Sequence, residues 1–229
     1  GVLLEPIQGE GGIIVPDDDY LLRVQELCHE YGALFMLDEV QTGFGRTGKN
    51  FAFEHSGAMP DILILAKALG GGVLPVSAVL GRKNIRFSGD WKNYDVFSFL
   101  AEDGPGEEGS TWSGSALSCV AILATIRELC DNKIAELAAK NGAQFLSELR
   151  ELQTKYPGLI MDVRGKGPMV GVDFAIPGRD LSHALLHEGV WAYYTGQEKK
   201  TLRFLPPLVM PSEILSDVVR RLECALLQF

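Results

Sequence analysis

Four short apolar runs set the frame of the first eighty residues: Val2 to Leu4, Ala33 to Leu37, Ile62 to Leu65 and Val76 to Leu80. They are too short for helices, and none keeps the strict polar–apolar alternation of a strand with one solvated face. Runs of this kind are read as strands of a parallel sheet covered on both sides. The first two are separated by a helical pattern. Pro16-Asp17 opens it, with Asp17 as the expected cap. Leu21, Val24, Leu27, Cys28 and Tyr31 recur at helical spacing, and Gly32 closes it. Apolar runs alternating with such stretches predict a parallel α/β sheet.

The rhythm then changes. Residues 89–110 hold Gly, Asp, Glu, Pro and aromatics without periodicity, which predicts a long surface loop. Helical patterns follow at Ala116 to Leu129 and Ile134 to Leu152, the second with Ile134, Leu137, Ala138, Phe145, Leu149 and Leu152 on one face. Leu159 to Val163 and Met169 to Phe174 read as strands joined by Arg164-Gly165-Lys166-Gly167-Pro168. Leu181 to Glu188 reads as a short helix, and Val190 to Tyr194 and Thr201 to Leu205 as further strands. A closing helix, Ile214 to Leu227, has Ile214, Val218, Leu222 and Leu226 on one face. The expected division is a mostly parallel α/β part over 1–130 and a smaller α+β part over 131–229. A buried strand with nothing before it also predicts that an amino-terminal part precedes residue 1.

Composition narrows the function. The formal net charge is −9, which argues against nucleic acid as a partner. No segment has the length of unbroken apolar sequence that a membrane span needs. The opening residues lack a basic stretch or cleavage site, so a cytoplasmic protein is expected. Cys28, Cys119, Cys130 and Cys224 are widely spaced within apolar helical patterns and are expected to be reduced core thiols.

Ligands of open parallel sheets gather at the carboxyl ends of the strands. Asp38 and Lys67 each follow an apolar run, which predicts that both lie at one sheet edge. Taken singly, Asp38 reads as a strand-end cap and Lys67 as a solvated surface residue. Taken as a pair, a buried acid and a buried lysine suit pyridoxal phosphate (PLP) chemistry. A lysine amine condenses with the cofactor aldehyde, and an acid beside the pyridine nitrogen keeps that ring an electron acceptor.

Longer motifs favour the second reading. Glu5-Pro6-Ile7-Gln8-Gly9-Glu10-Gly11-Gly12 comes first. Asp38-Glu39-Val40-Gln41-Thr42-Gly43-Phe44-Gly45-Arg46-Thr47-Gly48 follows, and then Pro60-Asp61-Ile62-Leu63-Ile64-Leu65-Ala66-Lys67-Ala68-Leu69-Gly70-Gly71-Gly72. In this order they closely resemble the class III (ω-amino acid) aminotransferases, most of all the putrescine, ornithine and acetylornithine type. The resemblance implies a fold-type I PLP-dependent transferase. It implies transfer of an amino group from an ω-amine donor to an oxo acid such as 2-oxoglutarate, in a homodimer with shared active sites.

By position, the resemblance makes Lys67 the Schiff-base lysine and proton shuttle, and Asp38 the acid on the pyridine nitrogen. Val40 packs on the ring, and Gln41 lies near its phenolic oxygen. Glu10 and Arg203 match a switch pair. There the arginine, in Leu202-Arg203-Phe204-Leu205-Pro206-Pro207-Leu208, grips the oxo acid's carboxylate, and the glutamate neutralises the arginine when an amine is bound. Thr111 matches a threonine that reaches the phosphate held by the neighbouring subunit. Here the sequence departs from the family's Thr-Phe-Gly-Gly-Asn, reading Thr111-Trp112-Ser113-Gly114-Ser115, after a loop carrying Glu102, Asp103, Glu107 and Glu108.

Other signals are discounted. His183 and His187 share a helix face but have no third ligand, so no metal is expected. Gly165-x-Gly167 precedes a strand, unlike a dinucleotide loop. Arg46 and Arg164 sit in Gly-rich turns and read as structural. Two alternatives stand beside transamination: a PLP-dependent aminomutase of the same fold, and an inert fragment that acts only through the dimer surface. The Glu10 and Arg203 pair favours a two-substrate transaminase over the mutase.

Overall fold

The structure, a computed structural model, describes residues 1–82, 85 and 111–229. Two four-stranded sheets organise it. The first contains β1 (Val2–Leu4), β2 (Phe35–Asp38), β3 (Ile62–Leu65) and β4 (Ala78–Gly81), in that spatial order. β1, β2 and β3 are parallel neighbours. β4 pairs antiparallel with β3, against the expectation of a parallel fourth strand. The link between them holds only the 3-10 turn Lys67–Gly70 and no α-helix of the kind that usually carries a parallel crossover.

Helix α1 (Tyr20–Glu30) covers this sheet, burying Leu21 and Cys28 against Phe35, Leu37 and Ala58. The helix starts after Asp17, not at it. The Asp17 carbonyl accepts from the Tyr20 amide (3.0 Å), and Asp18 is taken by Lys166 (2.8 Å). Leu27 and Tyr31, expected on the buried face, are exposed. So are Leu3, Val79 and Leu80, because β1 and β4 are the edge strands of the described sheet.

The second sheet is antiparallel, in the order β5 (Ile160–Lys166), β6 (Met169–Phe174), β8 (Thr201–Phe204) and β7 (Tyr193–Thr195). β5 is longer than the sequence suggested. Its turn shrinks to Gly167-Pro168, where Gly167 takes φ +55° and lets the chain reverse in two residues. Arg164 therefore lies on a strand rather than in a turn. β7 is shorter than expected, because the Val190 amide is still held by the Leu185 carbonyl at the preceding helix end (3.0 Å).

Helices α3 (Ile134–Lys155) and α4 (Gly178–His187) pack on this sheet, and α5 (Ser212–Leu226) packs on both of them. They enclose a core that includes Phe145, Leu149, Phe174, Leu185, Leu202 and Leu222. Leu137 and Ile214, both expected to face inward, are exposed, and Leu215 is buried instead of Ile214.

Helix α2 (Ala116–Asp131) runs between the two sheets in sequence. Ser115 caps it, its hydroxyl accepting from the Ser118 amide. Leu117, Val120, Leu123 and Ile126 on it are exposed. The expectation of four core thiols fails for the same reason. Cys28 is buried, but Cys119 and Cys130 ride the uncovered faces of α2, and Cys224 is half-buried; all four are free. The expected loop at 89–110 lies outside the described residues. Among those described, no helix is long and apolar enough to cross a membrane.

The end of β2 is tied down by a residue to which the sequence reading gave no role. Glu39 is fully buried. Its carboxylate accepts from the amides of Ala52 (2.7 Å) and Phe53 (2.9 Å) and from the Thr42 hydroxyl (2.9 Å). Burial pushes its carboxyl above the ordinary range, against the pull of these donors. Glu39→Ala orphans two buried or part-buried amides and is expected to cost about 3 kcal/mol in urea unfolding. Glu39→Gln, which turns an amide nitrogen toward one of those donors, is expected to cost about 1 kcal/mol. Unchanged unfolding midpoints in both variants would contradict this anchoring role.

Candidate active site

β2 and β3 are adjacent and parallel, with Asp38 opposite Ile64. Asp38 ends β2, and Lys67 follows β3 after Leu65 and Ala66. Both therefore leave the carboxyl edge of one sheet. Asp38 is half-buried, and its Oδ1 accepts from the Val40 amide (2.9 Å), which fixes the carboxylate at the strand end. Lys67 is exposed, whereas a buried lysine was expected. It stands past the strand, at the first position of the 3-10 turn, with φ +47°. A left-handed backbone is costly for a residue with a Cβ and concentrates at functional sites. Among the described residues no carboxylate lies within ion-pair distance of the Lys67 amine.

The loop after β1 brings a second group of residues to this edge. Gln8 and Ile14 pair across its neck, and Glu10 lies within it. The Glu10 carboxylate forms an ion pair with the Arg203 guanidinium on β8, 193 residues away in sequence. Gln41 Nε2 donates to the same carboxylate oxygen (3.2 Å). The Thr195 hydroxyl donates to the Glu10 carbonyl. Arg203 is mostly buried at 16% side-chain exposure, with its guanidinium carbon 6.0 Å from the Tyr193 ring centre, whereas Glu10 is 69% exposed. The hydrogen bond from Arg203 holds the Glu10 carboxyl below the ordinary carboxylate range. The Gln41 amide and the positive charges of Arg203 and Lys67 add to this, against slight burial.

Val40 and Gln41 follow Asp38 and are half-buried. Gln41 Oε1 is buried and, among the described residues, has no hydrogen-bond partner. A buried amide oxygen without a partner is costly, so this end of the side chain calls for a polar group from elsewhere. Thr111 is exposed in the turn before α2, and none of the other expected site residues is tied to it by a hydrogen bond. Arg46 is half-buried, and loss of solvation brings the pKa of its guanidinium down to about 10. It donates to the Pro206 carbonyl (2.6 Å), so the loop after β2 is fastened to the segment just beyond Arg203.

The family model of class-III aminotransferases matches residues 1–226. The chain belongs to this family. Among solved structures, it is 39% identical to the acetylornithine aminotransferase of Elizabethkingia anophelis, with a TM-score of 0.86, covering 99% of this chain and 54% of that one. It is 38% identical to the ornithine aminotransferase of Toxoplasma gondii, again with a TM-score of 0.86, covering 99% of this chain and 50% of that one. The ornithine aminotransferase of Plasmodium yoelii is 34% identical, with a TM-score of 0.85 and coverage of 99% and 57%. The chain thus spans about half the length of the structures it matches.

The class-III aminotransferase fold is α/β with a mixed, mainly parallel sheet, as in fold-type I PLP transferases. Members of the family depend on PLP. The residues at this edge fit such a group. Gln41 offers a buried oxygen in need of a partner, Asp38 a half-buried carboxylate, and Lys67 an amine that no carboxylate among the described residues engages.

The Glu10–Arg203 pair yields a pH prediction. Glu10 is expected to titrate below an ordinary glutamate. The pair is then intact at neutral pH and through the usual carboxylate range, and is lost as pH falls through the lowered value. Carboxyl carbon NMR of Glu10 follows this directly. Arg203→Ala is expected to move the titration back up toward the ordinary range; a midpoint that stays put would show that Arg203 is not the cause.

Proposed function

We propose that this chain is the part of a PLP-dependent class-III aminotransferase that carries the cofactor lysine and the carboxylate switch. It moves an amino group from an ω-amine donor (a diamine, ornithine-like or acetylornithine-like) to an oxo acid such as 2-oxoglutarate. The observation that carries this reading is the Glu10–Arg203 pair beside Gln41, at the sheet edge that also bears Asp38 and Lys67. The resemblance to ornithine and acetylornithine aminotransferases supports the donor class.

PLP, when bound, supplies a reactive aldehyde carbon and an electron-accepting pyridine ring. Lys67 would hold that carbon, and its amine would move the proton at the substrate carbon that bears the nitrogen. Asp38 would hold the proton on the pyridine nitrogen. Val40 would pack on the ring face, and Gln41 would lie near the phenolic oxygen. Arg203 grips the carboxylate of the oxo acid in a forked geometry. Glu10 neutralises Arg203 while the amine donor is bound. Because one pocket serves two substrates of unlike charge, a cation that can be exposed or masked suits it better than a fixed one.

We further assign 1–130 to the PLP-binding part and 131–229 to the smaller α+β part, in a cytoplasmic homodimer. The exposed apolar residues of α2 support burial against another surface. Thr111 reaches the phosphate held by the neighbouring subunit.

The test is chemical. Borohydride reduction of the PLP-loaded natural protein is expected to leave the cofactor mass on the peptide containing Lys67. Lys67→Ala is expected to abolish the labelling and to lower amino transfer by about 10²–10⁴-fold or more. Labelling at another lysine, or turnover that persists in that variant, would overturn the assignment.

A further inference from the structure

Pairing in the second sheet sets Arg164 on β5, Gly171 on β6 and Arg203 on β8 in one cross-strand row. Residues directly opposite one another share a face. The next row on that face holds Asp173 opposite Thr201.

The loop carrying Glu10 lies across this face at Gly171. A Cβ at Gly171 would stand 2.9 Å from the Gly12 carbonyl oxygen and 2.9 Å from the Ile13 Cβ. Glycine therefore leaves a bare strip of backbone on which the loop sits, between two arginines. On one side Arg203 holds the Glu10 carboxylate. On the other, Arg164 Nε donates to the carbonyls of Gly12 (3.0 Å) and Ile13 (3.1 Å), and its Nη2 donates again to Gly12. Arg164 also forks onto Asp173, at 2.7 Å from Nη1 and 3.0 Å from Nη2, and the Thr201 hydroxyl donates to Asp173. A further Nη1 bond reaches Asp162 (2.7 Å). The loop needs such a hold. Ile13, β-branched and fully buried, is kept at φ +55° against Ile7 and Met169.

We propose that Arg164, braced by Asp173 and Thr201, and the bare surface at Gly171 form a positioning device that sets the Glu10 carboxylate against Arg203. It thereby sets the balance between the two substrates. The proposal rests on the switch reading of Glu10 and Arg203 given above. Arg164 grips only backbone carbonyls and two aspartates, so it acts through Glu10. With the loop released, Arg203 stays unmasked. An oxo acid then binds unopposed, and an ammonium-bearing donor meets an uncompensated cation.

The experiment compares Gly171→Ala, Arg164→Ala and Arg164→Lys in the full-length, PLP-loaded natural protein. Gly171→Ala displaces the loop without touching either arginine. Hydrogen exchange of the peptide covering residues 5–15 is expected to quicken at least tenfold in Gly171→Ala and Arg164→Ala, while α3 keeps its protection. In the separated half-reactions, kcat/KM for the amine donor is expected to fall about tenfold, with that for the oxo acid unchanged or higher. Arg164→Lys keeps a donor but loses the fork, and is expected to recover part of both losses. Unaltered loop exchange in both Gly171→Ala and Arg164→Ala would overturn the proposal. So would an equal fall in both half-reactions, which marks general damage. If Gly171→Ala loosens α3 as well, the contrast between Arg164→Lys and Arg164→Ala decides. A natural protein without transaminase activity would sink the proposed function and leave the exchange result to stand or fall by itself.

Discussion

The seating of the Gly9–Ile14 loop against the second sheet is the contact that makes one site out of two sheets. β1 delivers the loop, yet its carboxylate is completed by Arg203, a residue of β8. The seat is possible because β6 presents no side chain at Gly171, and backbone can then approach backbone. Arg164 closes the arrangement from the other side with charge-assisted bonds, which are stronger and more directional than neutral ones. Arg46, fastened to Pro206, ties the loop after β2 to the same region. Two arginines holding carbonyls thus frame the one that holds a carboxylate.

The electrostatics of the Glu10–Arg203 pair are lopsided, and the asymmetry suits a switch. Arg203 is mostly buried, so leaving its charge unmatched is costly. Glu10 is mostly exposed, so withdrawing it returns a carboxylate to water at little cost. On the proposed switch reading, a substrate carboxylate replaces it on Arg203 with a near-even exchange of hydrogen bonds. Had both partners been buried, the pair would be a fixed brace. Had both been exposed, it would be too weak to mask a charge.

Much of the fold could be read from local pattern. The unbroken apolar runs of β2 and β3, the helical spacing of α3, and the hairpin glycine at 167 are properties of neighbouring residues. The misreadings have a common physical source. The exposure of Leu27, Leu137 and Ile214 and the uncovered Cys119 and Cys130 depend on what lies opposite each residue. Spacing shows which residues share a face; it does not show whether anything packs against it. Arg164 reads as a turn residue because glycines surround it, although Gly165 sits inside the strand. Glu39 had no visible role because its partners, Ala52 and Phe53, contribute only backbone amides, which no side-chain pattern reveals.

The sequence by itself determined the class-III aminotransferase motifs, the parallel order of the early strands and the identity of the residues able to do chemistry. Short-range rules of spacing, chain reversal and residue type are written along the chain. The family resemblance pairs Glu10 with Arg203, but only tertiary structure makes the contact, leaves Gln41 a buried oxygen without a partner among the described residues, and sets Arg164 on the loop between them. Those outcomes join segments up to 193 residues apart. They rest on the register of one sheet and on which segment lies against Gly171, and neither follows from the order of the residues.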